Sequence, residues 1–201
     1  MTREQVANLY DATRGWVYTF VAIALNKGLR VSEVCGLQWE DVDMQNRVIK
    51  VRNSESFTTK NRRNRILPLN DFLFSVLKKA SRHIKNPHVV FTQEGGNLVP
   101  QSARNHFMTT LKRAGLPHFR IHDMRHTFGT TLAADGVDVV TIQKLMGHRD
   151  IKTTMRYLHA APDRMRWAVE NLQLDGTVRT KNKATAHPGG PYLDTGVQSA
   201  Q

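Results

Sequence analysis

Apolar positions recur at helical spacing from the start of the chain. Thr2, with Gln5 three residues on, forms a capping-box pattern, and Val6, Leu9 and Tyr10 follow on one face. A second helix is expected from Gly15 to Asn26, with Val17, Phe20, Val21, Ala24 and Leu25 facing inward and Gly28 breaking it. Ser32 can cap a short helix reaching Leu37, with Glu33 in its first turn. The period then changes. Arg47 to Val51 alternates as a strand does, Ser56 to Thr59 and Arg65 to Leu69 are further strand candidates, and the polar stretch TKNRRN between them reads as a turn. Helices are expected near 71–84, 101–114, 122–134, 138–146, 150–158 and 162–173, with Asp71, Ser102, Asp138 and Asp150 as caps for four of them. Val89 to Phe91 reads as a short extended piece. This is the pattern of an α+β chain, mainly α-helical, with a small antiparallel β-sheet near residues 47–69.

Composition narrows the picture. The 201 residues suffice for one sizeable core, and 40% hydrophobic content is ordinary for a globular domain. After about Asp175 large apolar residues become few and periodicity stops, so residues 175–201 read as a flexible tail. No run of about 18 apolar residues occurs, so no membrane span is expected. The polar opening has no apolar signal-peptide core. Cys35, the single cysteine, lies in an apolar stretch and suits a buried thiol in a reducing cytoplasm. Charge gives the first functional hint. Twenty-nine Lys plus Arg against 17 Asp plus Glu leave a net +12. Such a surplus favours a polyanionic partner, because phosphate contacts release condensed counterions. The competing reading is a basic protein with no nucleic-acid role. Anionic membranes fit less well, since the basic residues form no block beside an apolar face.

Four segments carry candidate chemistry. His122 and Arg125, three apart, share one face near a helix N-terminus, where backbone N–H groups and a planar guanidinium suit a phosphate. An ordinary charged surface helix is the alternative. His122 with Asp123 or His126 also raises a metal site, but further ligands are not evident and no Glu stands between the histidines. In LMGHRDIKTTMRYLHA, His148 occupies a turn after Gly147, and Tyr157 follows on the helix capped by Asp150. Either could be plain packing. In NKGLRVSEVCGLQW, Glu33 is placed to hold Arg30, as a structural pair or as support for a functional arginine. Lys60 stands at the start of the hairpin turn, where a lysine is ordinarily solvated.

Together these segments resemble the tyrosine recombinases, the phage-integrase type of DNA breaking-rejoining enzyme. G-L-R-x-S-E-x-x-x-L-x-W at 28–39 is similar to their first-arginine motif, T-K-N-x-x-x-R-I-L-P-L at 59–69 to their lysine hairpin, H-D-M-R-H-T-F at 122–128 to their H-x-x-R box, and L-M-G-H-R-D-I-x-T-T-M-x-Y-x-H at 145–159 to their terminal box. The order and spacing agree as well. The resemblance covers roughly residues 3–173. It implies the tyrosine recombinase catalytic-domain fold over 1–174, with the N-terminal core-binding domain absent.

The resemblance also implies roles. Arg30 and Arg125 would clamp the scissile phosphate of double-stranded DNA, and Tyr157 would attack it to form a 3′-phosphotyrosine. His122 would act as base or position it, Lys60 would protonate the departing 5′ oxygen, and His148 would hydrogen-bond the phosphate. Glu33 would orient Arg30. Arg62 and Arg63, with Arg65, would suit the DNA backbone. No cofactor, metal or ATP is implied. A tetramer is expected on DNA, with a monomer allowed in solution. Three alternatives stay open: a DNA-binding module without catalysis, a type IB topoisomerase, and a metal phosphohydrolase.

Overall fold

The computed structural model describes residues 1–52, 64–81, 86–92 and 95–158. Its elements in chain order are α1 (Arg3–Ala12), α2 (Trp16–Lys27), α3 (Val31–Cys35), a 3₁₀ turn (Trp39–Asp41), β1 (Val42–Asp43), β2 (Val48–Val51), β3 (Arg65–Pro68), α4 (Asp71–Ala80), α5 (Pro100–Arg113), α6 (Asp123–Ala134), α7 (Val139–Met146) and α8 (Ile151–Met155). The expected strand at 56–59, the lysine turn, the helix at 162–173 and the tail from 175 lie outside the described residues. Among the described residues no helix is long and apolar enough to cross a membrane.

Local chemistry sets the helix ends. At α1 the Thr2 hydroxyl accepts from the Gln5 N–H, and the Gln5 side chain accepts from the Thr2 N–H, closing the capping box. Asp138 and Asp150 cap α7 and α8 by accepting from Thr141 and Lys152. Three starts differ from expectation. Helix α3 begins before Ser32, because the Glu33 carboxylate accepts the Arg30 N–H at 2.8 Å and makes Arg30 the N-cap. Asn70, not Asp71, caps α4 by accepting from Leu73. Helix α5 starts at Pro100, two residues ahead of Ser102, where a missing N–H costs nothing.

The sheet is antiparallel in the order β1-β2-β3. Ile49 pairs with Leu67 and both are buried, while Lys50 pairs with Ile66 and both face outward, the two-residue period of a half-buried sheet. Helix α2 is the centre of the molecule. Phe20, Val21, Ala22, Ile23 and Ala24 are buried, and the helix packs against α3, α4, α5 and α6. An apolar helix enclosed on several sides is held by burial, at about 25 cal/mol per Å² of apolar surface. Lys27 ties the end of α2 to the sheet by donating to the Pro68 carbonyl, and burial pulls its ammonium down to about 8. A smaller cluster of Ala133, Ile142, Met146 and Tyr157 joins α6 to α7 and the turn after α8.

Gly28 closes α2 in the left-handed region (φ +58°), which glycine enters without penalty, and a Cβ there would strike the Phe128 ring at 2.4 Å. Helix α6 therefore approaches the α2 terminus closely, and this approach brings the Arg30 segment to the His122 segment.

Candidate active site

Arg125 organises the site. It leaves the first turn of α6 and is 2% exposed. One guanidinium nitrogen donates to the Gly28 carbonyl and the other to the Met146 carbonyl. Two segments far apart in sequence are thereby fastened to one side chain. A guanidinium has five N–H groups, so donors remain for an anion. Burial first, then Arg30, draws Arg125 down to about 10, still protonated at neutral pH. Burying this cation against carbonyl dipoles makes a fixed positive point.

Arg30 stands beside it, electrostatically coupled to Arg125. Its guanidinium meets the Glu33 carboxylate at 3.1 Å, the pairing expected from their spacing. Glu33 has a second partner that spacing did not show. Arg65 of β3 reaches both carboxylate oxygens, at 3.1 and 2.8 Å. Arg65 is thus drawn inward to Glu33, rather than outward to a DNA backbone. Its guanidinium also lies under Gly147, where a Cβ would come within 2.8 Å of it. Gly147 ends α7 at φ +65° and turns the chain into His148. One arginine therefore spans the Arg30 segment, strand β3 and the His148 turn.

Burial alone would raise the Glu33 carboxyl, but Arg65 and then Arg30 outweigh it and hold it below the ordinary carboxylate range. A depressed folded-state value contributes stability that is full above the unfolded carboxyl pKa and is lost as pH falls through the folded one. Glu33→Gln is expected to cost about 3 kcal/mol at pH 7, since Arg65 would be left buried without its counter-charge. The variant should also show a shallower loss of stability below about pH 4 than the parent. Urea unfolding across that range checks both, and parallel curves would contradict the pairing.

His122 is the N-cap of α6, and burial, His126 and Arg125 keep its pKa below the usual histidine value. His148 is driven further, to about 4, by burial and then by Arg125 and Arg30. Its Nδ1 lies 2.9 Å from the Thr154 hydroxyl, which orients the ring. Both imidazoles are neutral at pH 7 in a field of arginines, and a neutral imidazole carries one ring N–H that can donate to a phosphate oxygen.

Tyr157 is 3% exposed and lies just beyond α8, in a turn rather than on the helix. Its ring stacks on His148, centroids 6.2 Å apart and planes 14° off parallel. On the other side Gly129 makes room, since a Cβ there would come within 2.9 Å of the phenol ring. The hydroxyl meets Nδ1 of His126 at 3.1 Å, not His122. Burial raises the phenol pKa, with Arg125 and then Arg156 opposing.

The structure thus brings Arg30, His122, Arg125, His148 and Tyr157 into one basic cluster, with Glu33 beneath it. Lys60, Arg62 and Arg63 lie outside the described residues. Arg65 and His126 are the additions. Among the described residues, no group of three or more His, Cys, Asp and Glu side chains converges as a metal site.

Comparison with known proteins agrees with this geometry. The model of the phage integrase family matches residues 1–164. The integrase of Salmonella phage P22 is 31% identical over 174 residues, covering 80% of this chain and 43% of the phage protein. Tyrosine recombinase XerA of Saccharolobus solfataricus is 34% identical over 146 residues, covering 73% of this chain and 46% of the archaeal one. This chain spans about half the length of these curated relatives. Among solved structures, the Tn1549 transposon integrase in complex with circular intermediate DNA superposes with a TM-score of 0.75 at 28% identity, over 86% of this chain and 66% of that one. A crystal structure of XerA recombinase gives 0.73 at 22% identity over 86% and 65%, a likeness of fold. With Arg30, His122, Arg125, His148 and Tyr157 gathered into one basic cluster and the family model running from residue 1 to 164, the chain belongs to the phage integrase family.

Proposed function

We propose that residues 1–174 are the catalytic domain of a site-specific tyrosine recombinase, which cleaves and rejoins double-stranded DNA through Tyr157. The observation that carries the proposal is the position of the Tyr157 phenol, held by its own chain inside a cluster of arginines and neutral histidines. A solved relative seen with DNA, the Tn1549 integrase, supports DNA as the partner. The net +12 charge supports it independently.

In this reading Arg30 and Arg125 grip the non-bridging oxygens of the scissile phosphate and stabilise the charge that builds on them in the transition state. The Tyr157 oxygen bonds to phosphorus while the bond to the 5′ oxygen breaks. Lys60 delivers a proton to that leaving oxygen. His148 hydrogen-bonds the phosphate, His122 acts as base for the phenol or helps to position it, Glu33 fixes Arg30, and Arg62 and Arg63 follow the backbone. One phosphoester replaces another, so a 5′-hydroxyl can reverse the step on a new strand without nucleotide hydrolysis. Assembly of four protomers on paired sites would complete an exchange.

The test works without a defined target sequence. The 201-residue chain is incubated with nicked duplexes of randomised sequence, denatured, and the DNA-linked protein digested for mass spectrometry. A nucleotide on the Tyr157 peptide, with one sequence enriched, is the expected result. Binding without linkage would make the chain a DNA-binding module. Linkage with no enrichment, together with plasmid relaxation, would point to a topoisomerase.

A further inference from the structure

Resting on the reading just given, we infer that His126, rather than His122, is the group that takes the phenol proton as Tyr157 attacks phosphorus. Of the two histidines on this helix, His126 is the one in hydrogen-bond contact with the reacting oxygen, its Nδ1 lying 3.1 Å from the Tyr157 hydroxyl. That distance is already within the range a general base requires. His122 stands edge-on to His126, ring centroids 4.8 Å apart, one turn nearer the start of α6.

The surroundings suit the role. His126 is one residue past Arg125, so the base and the phosphate-gripping guanidinium ride on the same rigid turn. Gly129, one turn further, admits the phenol ring to van der Waals contact with the helix. The imidazole is partly buried and kept below its usual pKa, by burial first, with Asp123 opposing and Arg156, Arg120 and Arg125 adding to the effect. It is therefore unprotonated at neutral pH and free to accept. The phenol lies on the other side of the balance, raised by burial, so it does not ionise unaided. In the step itself the O–H bond electrons of Tyr157 form the new P–O bond, the proton passes to His126 Nδ1, and the P–O5′ electrons leave with the 5′ oxygen, which Lys60 protonates. Rejoining runs the same transfers backward, with His126 returning its proton to the phenol.

Two measurements test this. The first needs no DNA. If Nδ1 accepts from the phenol, its ¹⁵N resonance in the free chain at pH 7 is that of an unprotonated ring nitrogen, and it changes in Tyr157→Phe. A protonated Nδ1 overturns the inference. The second follows adduct formation on the selected duplex against pH. The parent should be level from about pH 7 to 9, where the base is already free. His126→Gln keeps a hydrogen-bonding side chain but accepts no proton, so its rate should fall by about 10²-fold or more at pH 7 and then climb about tenfold per pH unit, as only ionised phenol reacts. Replacing Tyr157 by a fluorotyrosine of lower pKa should rescue His126→Gln more than it speeds the parent. A His126→Gln rate equal to the parent's, or a lowered rate with the parent's pH profile and no rescue, overturns the assignment. An adduct that persists in Tyr157→Phe would instead bring down the nucleophile on which the inference rests.

Discussion

Tyr157→Phe is expected to remove the covalent DNA adduct completely while leaving the fold almost untouched. The ring does the packing here. It fills the space between Gly129 and His148 and belongs to the cluster with Ala133, Ile142 and Met146, and phenylalanine keeps all of those apolar contacts. What disappears is one oxygen and one hydrogen bond to His126, worth about 1 kcal/mol in a folded protein. For a chain of this length that is a shift of roughly 2–4 °C in Tm. Catalysis has no such reserve if the deleted atom is the nucleophile, as proposed. Binding to duplex DNA should be unchanged, because the arginines proposed to meet the phosphates are intact. Denaturing gels, thermal melts and a salt titration of DNA binding separate the three effects. A variant that still forms adduct, or one that fails to fold, would contradict the account.

Arg125→Lys is expected to lose both activity and stability, and the combination is diagnostic. Lysine keeps the charge but not the planar fork. The guanidinium divides its nitrogens between the carbonyls of Gly28 and Met146, and a single ammonium does not reproduce that span. One buried carbonyl would lose its partner, at about 1–3 kcal/mol. The same change displaces the charge proposed to face the transition state, so adduct formation should drop by about 10²–10³-fold. Arg30→Lys is the informative partner. The Arg30 side chain is 32% exposed, and its guanidinium donates to Glu33. It should lose comparable activity with much less stability. Equal losses of Tm in the two variants would mean that the double carbonyl contact does not hold the site together.

Much of the frame is legible in the chain because it depends on neighbours in sequence. The 3.6-residue periods of α1 and α2, the capping box at Thr2, the caps at Asp138 and Asp150 and the glycine stops at 28 and 147 are all local. So is the Arg30–Glu33 pair, three residues apart. Expectation and structure part where two local signals compete. Asn70 and Asp71 are both good caps, and only the backbone angles decide between them. At α5 the proline at position 100 is the better start signal than Ser102. Strand β1 has two residues, too few for any period to show. The site is readable as a set of motifs because each motif is short and contiguous.

Its internal wiring is less legible, because those contacts are made across the fold. Arg65 is 32 residues from Glu33, and in the basic stretch from Arg62 to Arg65 nothing in sequence marks it for an inward carboxylate. His126 meets a phenol 31 residues away. The one signal for it is its place directly after Arg125, which a helix turns about 100° aside, to a neighbouring face of α6.

Both acceptors that seat Arg125 are peptide oxygens, which every amino acid carries. Exchange of the side chain at position 146 leaves its anchor in place, whereas position 28 keeps its carbonyl there only as glycine, since a Cβ would strike Phe128. The seat of this guanidinium is therefore set by the path of the backbone at its two ends, not by the chemistry of the side chains there.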